Sequence, residues 1–194
     1  MSSDRRTLSV SDAQARILSA TATRLLAAGA AKLNMQDVAD EAGVSKGLIH
    51  YHFDTKDALL ARTVDWLTTQ IEERERHALD TAIAQTAIEA LWRWLTKELL
   101  TGHVRILADL AHYPSVTVNA SVRLSGIRRR DSAARTVEAL FATLELRPRV
   151  PAALLADVVL AFNTGLAVDW AFVADAERRV AFDVFWLAML SLAE

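Results

Sequence analysis

The chain has no cysteine, three prolines and six glycines among its 194 residues. Without cysteine there are no disulfides, no thiolate zinc fingers and no thiol catalysis, and a reducing cytosol suits the chain. So little glycine and proline leaves it without the punctuation of a many-stranded β protein. No charge sign dominates either. The 22 Lys and Arg face 24 Asp and Glu, for a formal charge of −2. There is no global basic field, so any contact with nucleic acid must come from a local patch. The most apolar uncharged run, Val158 to Val168, lies between Asp157 and Asp169. It falls well short of the ~20 residues that a membrane span needs. The opening residues, Met1 to Arg6, are polar and lack the apolar core of a signal peptide. No stretch alternates with period two over strand length, and no fixed-period repeat or low-complexity tract is present. The signatures G-x-S-x-G, G-x-G-x-x-G, Walker A and H-E-x-x-H are all missing. The expectation is a cytoplasmic protein that is not an enzyme, with no cofactor, no metal and no membrane partner.

What is present is apolar material. Hydrophobic residues make up 52% of the chain and the mean hydropathy is +0.17. That is ample for a core and excludes disorder. The surplus points to a second buried surface, such as a subunit interface or a ligand cavity.

Residues 1–10 are polar and read as frayed. Ser11 reads as an N-cap, and Ile17, Leu18, Ala22, Leu25 and Leu26 recur at helical spacing up to the Ala28–Gly29 stop. Asn34 caps a second short helix that Gly43 ends, Ser45 caps a third from Lys46 to Phe53, and Thr55 caps a long fourth. Leu59, Leu60, Val64, Leu67 and Ile71 mark the buried stripe of the fourth. Its charged end, Glu72 to His77, reads as a solvated face. Helices are then expected near 84–101, 103–113, 115–146, 151–174 and 177–193, with breaks at Gly102, Pro114 and Pro148 to Pro151 and a possible bend at Gly126. The fold class is all-α. A three-helix helix-turn-helix head (1–56) is joined by a connecting helix (57–81) to a helical ligand-binding and dimerisation body (82–194).

The chemistry lies in Met35 to Lys56, where two short helices meet at a tight turn. Ala39 is small enough for the second helix to cross close, and Gly43 can take the positive φ of the turn. Val38, Val44 and Ile49 fill the angle between the helices. Ser45 caps the second of the two and leaves its N-terminus free to face a groove. The exposed set is then short and polar: Lys46, Gly47, His50, Tyr51 and His52. Gly47 allows close approach to a sugar-phosphate backbone, and Lys46 can reach a base edge or a phosphate. Tyr51 and Lys56 can bond phosphates and set register. His50 and His52 lie about 200° apart around a helix and cannot share a metal ion. Residues 1–56 carry seven basic and six acidic side chains, so positive charge must be segregated in space.

This stretch resembles the TetR family of bacterial transcriptional regulators. The resemblance rests on Ala42 to Phe53 and Thr55 to Leu60 and covers about residues 12–65. It implies base contacts from Lys46, Gly47 and His50, and phosphate or flanking-base contacts from Tyr51 and His52. Lys56 would hold a phosphate at a helix N-terminus. With Gln36 and Ser45 these complete the candidate DNA-binding set. His50 replaces the first aromatic of the family's usual run, and Asn34-Met35 replaces its usual Thr-Thr. The implied function is a homodimeric repressor that a small-molecule effector releases from an inverted-repeat operator. A helical ligand-binding or interaction protein whose head no longer binds DNA is the alternative.

The resemblance also implies that the last two helices form a four-helix dimer interface. Leu155, Val158 and Phe162, with Phe182, Phe185, Trp186 and Met189, are its candidates. Trp92, His103, His112, Tyr113, Asn119 and Trp170 are candidate ligand-binding residues. On a helical wheel Asp169 falls within the apolar face beside Val158, Phe162, Leu166 and Val173, so it reads either as paired inside or as a ligand anchor. Arg128 to Arg130 read as a solvated face.

Overall fold

The computed structural model describes residues 10–169 and 172–194. Among them lie nine helices: α1 (Val10–Lys32), α2 (Met35–Ala42), α3 (Lys46–His52), α4 (Lys56–Arg76), α5 (Ala87–Thr101), α6 (His103–Leu110), α7 (Val116–Thr143), α8 (Ala152–Val168) and α9 (Asp175–Leu190). The reading of the first residues falls on 1–9, outside the described residues. Val10 is already helical, so Ser11 lies inside the first turn and is not its cap.

Local chemistry builds the head as expected. Asn34 Oδ1 accepts from the Gln36 backbone N–H at 2.8 Å. Ser45 Oγ accepts from Leu48 N–H at 3.2 Å, and Thr55 Oγ1 from Ala58 N–H at 3.1 Å. Each cap satisfies a helix-end donor that has no partner within its helix. Gly29 breaks the helical dihedrals of α1 at φ 74° and ψ 167°, close to the expected stop. Gly43 sits at φ 62°, the left-handed turn that favours glycine. A Cβ there would also lie 2.9 Å from Arg16 Nη2. That guanidinium holds the turn by donating to the Ala42 carbonyl and, at 3.3 Å, to that of Gly43. Arg24 adds an ion pair to Asp37 of α2 at 3.1 Å. Ile17, Val38, Ala39, Ile49, Phe53 and Leu59 are buried in the head's core.

α4 starts in the head and runs along α7 into the body, and α8 packs on the other side of α7. At ~1.5 Å per residue its 21 residues span about 30 Å. The helices α5 to α8 begin and end inside the expected ranges, while α9 begins two residues before its own. α5 starts at Ala87, α6 stops at Leu110, and α7 runs through Gly126 as one helix to Thr143. α8 stops at Val168 and not near 174, and α9 spans Asp175–Leu190. The end of the chain is pinned by short antiparallel pairing. Arg147 and Glu194 exchange backbone hydrogen bonds at 2.9 Å each, and Arg149 N–H reaches the Leu192 carbonyl at 2.8 Å.

Candidate nucleic-acid interface and body cavity

Helix α3 presents its polar residues outward. Lys46, Gly47, His50 and Tyr51 are exposed, Tyr51 at 76%. Gln36 is exposed with its amide on Asp40 at 2.9 Å, and Ser45 is exposed while its hydroxyl caps α3. His52 is the exception. It is half-buried, with Nδ1 3.4 Å from Gln14 Nε2, and so turns toward α1. Lys56 stands at the first residue of α4, its Nζ 3.5 Å from the Ala31 carbonyl and 5.9 Å from the Tyr113 ring centre. The capped end of α3 carries exposed basic and aromatic side chains, and Lys56 stands at the N-terminus of the next helix. That arrangement suits a phosphodiester backbone and base edges.

The expected ligand residues do not come together. Trp92 packs on Phe182 at 5.1 Å, with the Arg179 guanidinium 5.3 Å over its ring. His112 is exposed, its Nδ1 3.1 Å from the Ala108 carbonyl. Asn119 is half-buried, and its Oδ1 has no partner among the described residues. Tyr113 is a contact between head and body. It hydrogen-bonds Asp57, and burial and that carboxylate push its phenol above the usual range. Asp169 is exposed at the end of α8. The helix stops one residue before it, so the wheel that placed Asp169 on the apolar face does not extend that far. Trp170 lies outside the described residues.

Only His103 reaches the polar interior. Its Nδ1 is 2.9 Å from Arg74 Nη2, and its ring is 5.8 Å from that of Trp66. Arg74 also grips Glu98 with two hydrogen bonds, at 2.8 and 2.9 Å. Glu98 is 1% exposed and accepts a further bond from Thr101 at 3.2 Å. Beside it Glu75 is buried and accepts from Ser132 Oγ at 2.7 Å. Burial pushes the Glu75 carboxyl up, partly offset by Ser132 and by the charge of Arg129. Arg129 is pushed down by burial, against the charges of Glu75, Glu98 and Glu72.

Glu75 borders two small voids of about 20 and 10 Å³, which also share Trp94, Leu95 and Asn163 in their walls, and Glu98 and Arg129 border the smaller. An open groove of about 590 Å³ between α4 and α7 reaches Glu75 from outside, past Ser132 and Thr136. The stretches expected to be solvated faces therefore split. Arg74, Glu75 and Arg129 turn inward. Arg128 bridges Asp65 at 2.7 Å and Glu72 at 2.5 Å, and Arg130 pairs with Asp157. Their partners lie on other helices, so no local pattern could mark them.

His103 carries a pH prediction. Burial, then the Arg74 charge, lowers its pKa, with Glu98 opposing. A group depressed in the folded state contributes stability that is present above its unfolded pKa, near 6.5, and lost as pH falls through the folded value. The melting temperature should therefore drop as pH is lowered from neutral into the range below ~6.5. His103→Gln should drop less over the same interval. Parallel pH profiles for the two proteins would remove His103 from the account.

The candidate dimer residues also divide. Leu155, Phe182, Trp186 and Met189 are buried within the protomer. Phe162 and Phe185 stack on one another at 4.1 Å and are half-buried. Only Val158 keeps a largely open side chain, at 49%. The apolar residues left outside are Leu154, Val158 and Val168 on α8 and Val180, Val184 and Leu187 on α9, Leu187 being 70% exposed. Each helix has two apolar stripes, and its own core takes one of them.

The fold and site define a helix-turn-helix head carried on a helical body. Residues 17–63 match the family model for bacterial regulatory proteins of the tetR family. That match lies in the head of the chain. It is 40% identical over 81 residues to the HTH-type transcriptional regulator CymR of Pseudomonas putida, a match over 41% of this chain and 40% of that protein. The matched part thus spans well under half of that relative's length. A TetR transcription regulator from Haloarcula marismortui superposes with a TM-score of 0.74 at 21% identity, over 95% of this chain and all of the other. SmeT, solved as a complex with triclosan, superposes with a TM-score of 0.64 at 17% identity, covering 91% of this chain and 90% of the other. The likeness to those two structures is a likeness of fold.

Proposed function

We infer that this protein is a homodimeric, cytoplasmic DNA-binding transcriptional regulator without enzymatic activity. Residues 1–56 form its DNA-binding head, 57–81 the connection and 82–194 the effector-binding and dimerisation body. The observation that carries the reading is the exposed polar face of α3, capped by Ser45 and braced by Arg16, with Lys56 beside it. Lys46 and His50 read base edges, Gly47 lets the backbone come close, and Tyr51 and Lys56 hold phosphates. Gln36 and Ser45 flank that surface, and His52 contributes mainly by positioning Tyr51, whose ring it meets at 5.1 Å. Among the described residues no helix is long and apolar enough to cross a membrane.

A repressor cycle follows from linkage. Two heads enter successive major grooves when they sit about 34–36 Å apart. An effector that binds best at another separation lowers DNA affinity by the difference in its two binding free energies. SmeT is a fold neighbour that binds a small organic molecule in its solved complex. Helix α6 supplies a route from body to head. Its first residue, His103, bonds Arg74. The glycine before it, Gly102, abuts Leu26 of α1, which a Cβ would approach to 2.6 Å. Beyond its last turn, Tyr113 meets Asp57 and Lys56.

The division of labour in the head is testable by fluorescence anisotropy at several salt concentrations. Lys56→Ala should weaken operator and random duplexes about equally and lower the salt slope by about one unit. Lys46→Ala should cost about 1–3 kcal/mol on the operator alone and relax preference at one position per half-site. If both variants weaken specific and random DNA alike, the assignment fails.

A further inference from the structure

The body interior contains two donors with nothing to donate to. Trp94 Nε1 and Arg129 Nε are enclosed, and neither has a hydrogen-bond partner among the described residues. Both side chains border the smaller void. A buried guanidinium is costly when its donors are left unmet. The acidic neighbours do not meet this one. Glu98 is committed to Arg74 and Thr101, and Glu75 to Ser132. Arg129 Nε is thus left with no carboxylate to donate to. The adjoining void has an apolar wall of Leu91, Val137, Val159, Phe182 and Trp186.

We propose that the effector is an organic monocarboxylate, held by its carboxylate on Arg129 Nε and Trp94 Nε1 with its apolar body against that wall. This rests on the reading of the body as an effector site and gives that site its chemistry. Each void has the scale of one water-sized group. Binding therefore requires the two to open into one another past Leu95, which borders both. The ligand arrives through the α4–α7 groove, and Glu75 is the side chain it must pass, since Glu75 borders the groove and both voids. A cationic ligand is disfavoured, because the unmet groups that border the smaller void are donors.

Calorimetric titration of the full chain without DNA tests the proposal. The probes are phenylacetate and octanoate, with phenylacetamide and phenethylamine as neutral and cationic counterparts. At least one carboxylate should bind about tenfold or more tightly than the amide and the amine, as a charge-assisted hydrogen bond requires. Trp94→Phe keeps an aromatic ring, removes the N–H, and should weaken that carboxylate about tenfold. Arg129→Met should abolish binding. If Arg129→Met does not fold, Trp94→Phe decides. No binding of either carboxylate up to about 10 mM, preference for the amine, or wild-type affinity in Trp94→Phe overturns the proposal. DNA affinity is not read in this experiment, so failure of the head to bind an operator would appear separately.

Discussion

Leu187→Glu is expected to give a folded monomer that no longer holds an operator. Leu187 is 70% exposed on α9, beside exposed Val180 and Val184, while α8 offers Leu154 and Val158. Removing Leu187 from the protomer disturbs no core contact of consequence, so folding should survive. In a dimer packed through α8 and α9 the new carboxylate is buried without a partner. That costs about 3–5 kcal/mol per copy, and a twofold axis places two copies in one interface. The dimer dissociation constant should rise at least about a hundredfold. Operator affinity should collapse with it, because one head retains only half of the contacts. Sedimentation and anisotropy on the same sample check both outcomes. Trp186→Glu is a contrasting control. Trp186 is 6% exposed inside the protomer, so that change should unfold the chain. A Leu187→Glu protein that stays dimeric would move the interface elsewhere.

Glu98→Ala should be among the most destabilising single changes in the body. Its carboxylate is 1% exposed and receives two hydrogen bonds from Arg74. Truncation leaves Arg74 partly buried beside His103 with no carboxylate, at a cost of about 3–5 kcal/mol. Glu98→Gln keeps an acceptor and the volume, and should cost less. Chemical denaturation of the three proteins gives the comparison. A loss under ~1 kcal/mol for Glu98→Ala would mean that solvent reaches the pair and screens it. A double change, Arg74→Met with Glu98→Leu, should recover much of the loss, since an apolar pair of similar volume can replace a buried ion pair.

The head was legible because its determinants are local. Asn34, Ser45 and Thr55 each cap a helix through an atom two or three residues away, and Gly43 needs only its own backbone freedom. The body was legible as helices but not as a site. Arg74 meets Glu98 24 residues on, and Ser132 meets Glu75 across 57. From sequence these residues look like mixed-charge helix faces, since nothing nearby tells a solvated carboxylate from a buried one. The wheel failed at Asp169 because periodicity does not record where a helix stops. On α8 and α9 it identified apolar faces correctly but could not divide them. Leu155 and Phe182 fill the protomer, while Leu154 and Leu187 remain outside.

Selection of bound duplexes from a randomised DNA pool, at physiological salt and with wild-type protein, tests the central claim most directly. The account predicts enrichment of an inverted repeat whose half-sites are centred about one helical turn, or a multiple of it, apart. Enrichment should vanish with Leu187→Glu, and one position of each half-site should relax with Lys46→Ala. A pool that stays random after repeated rounds, or enrichment of a site without twofold symmetry, would contradict it.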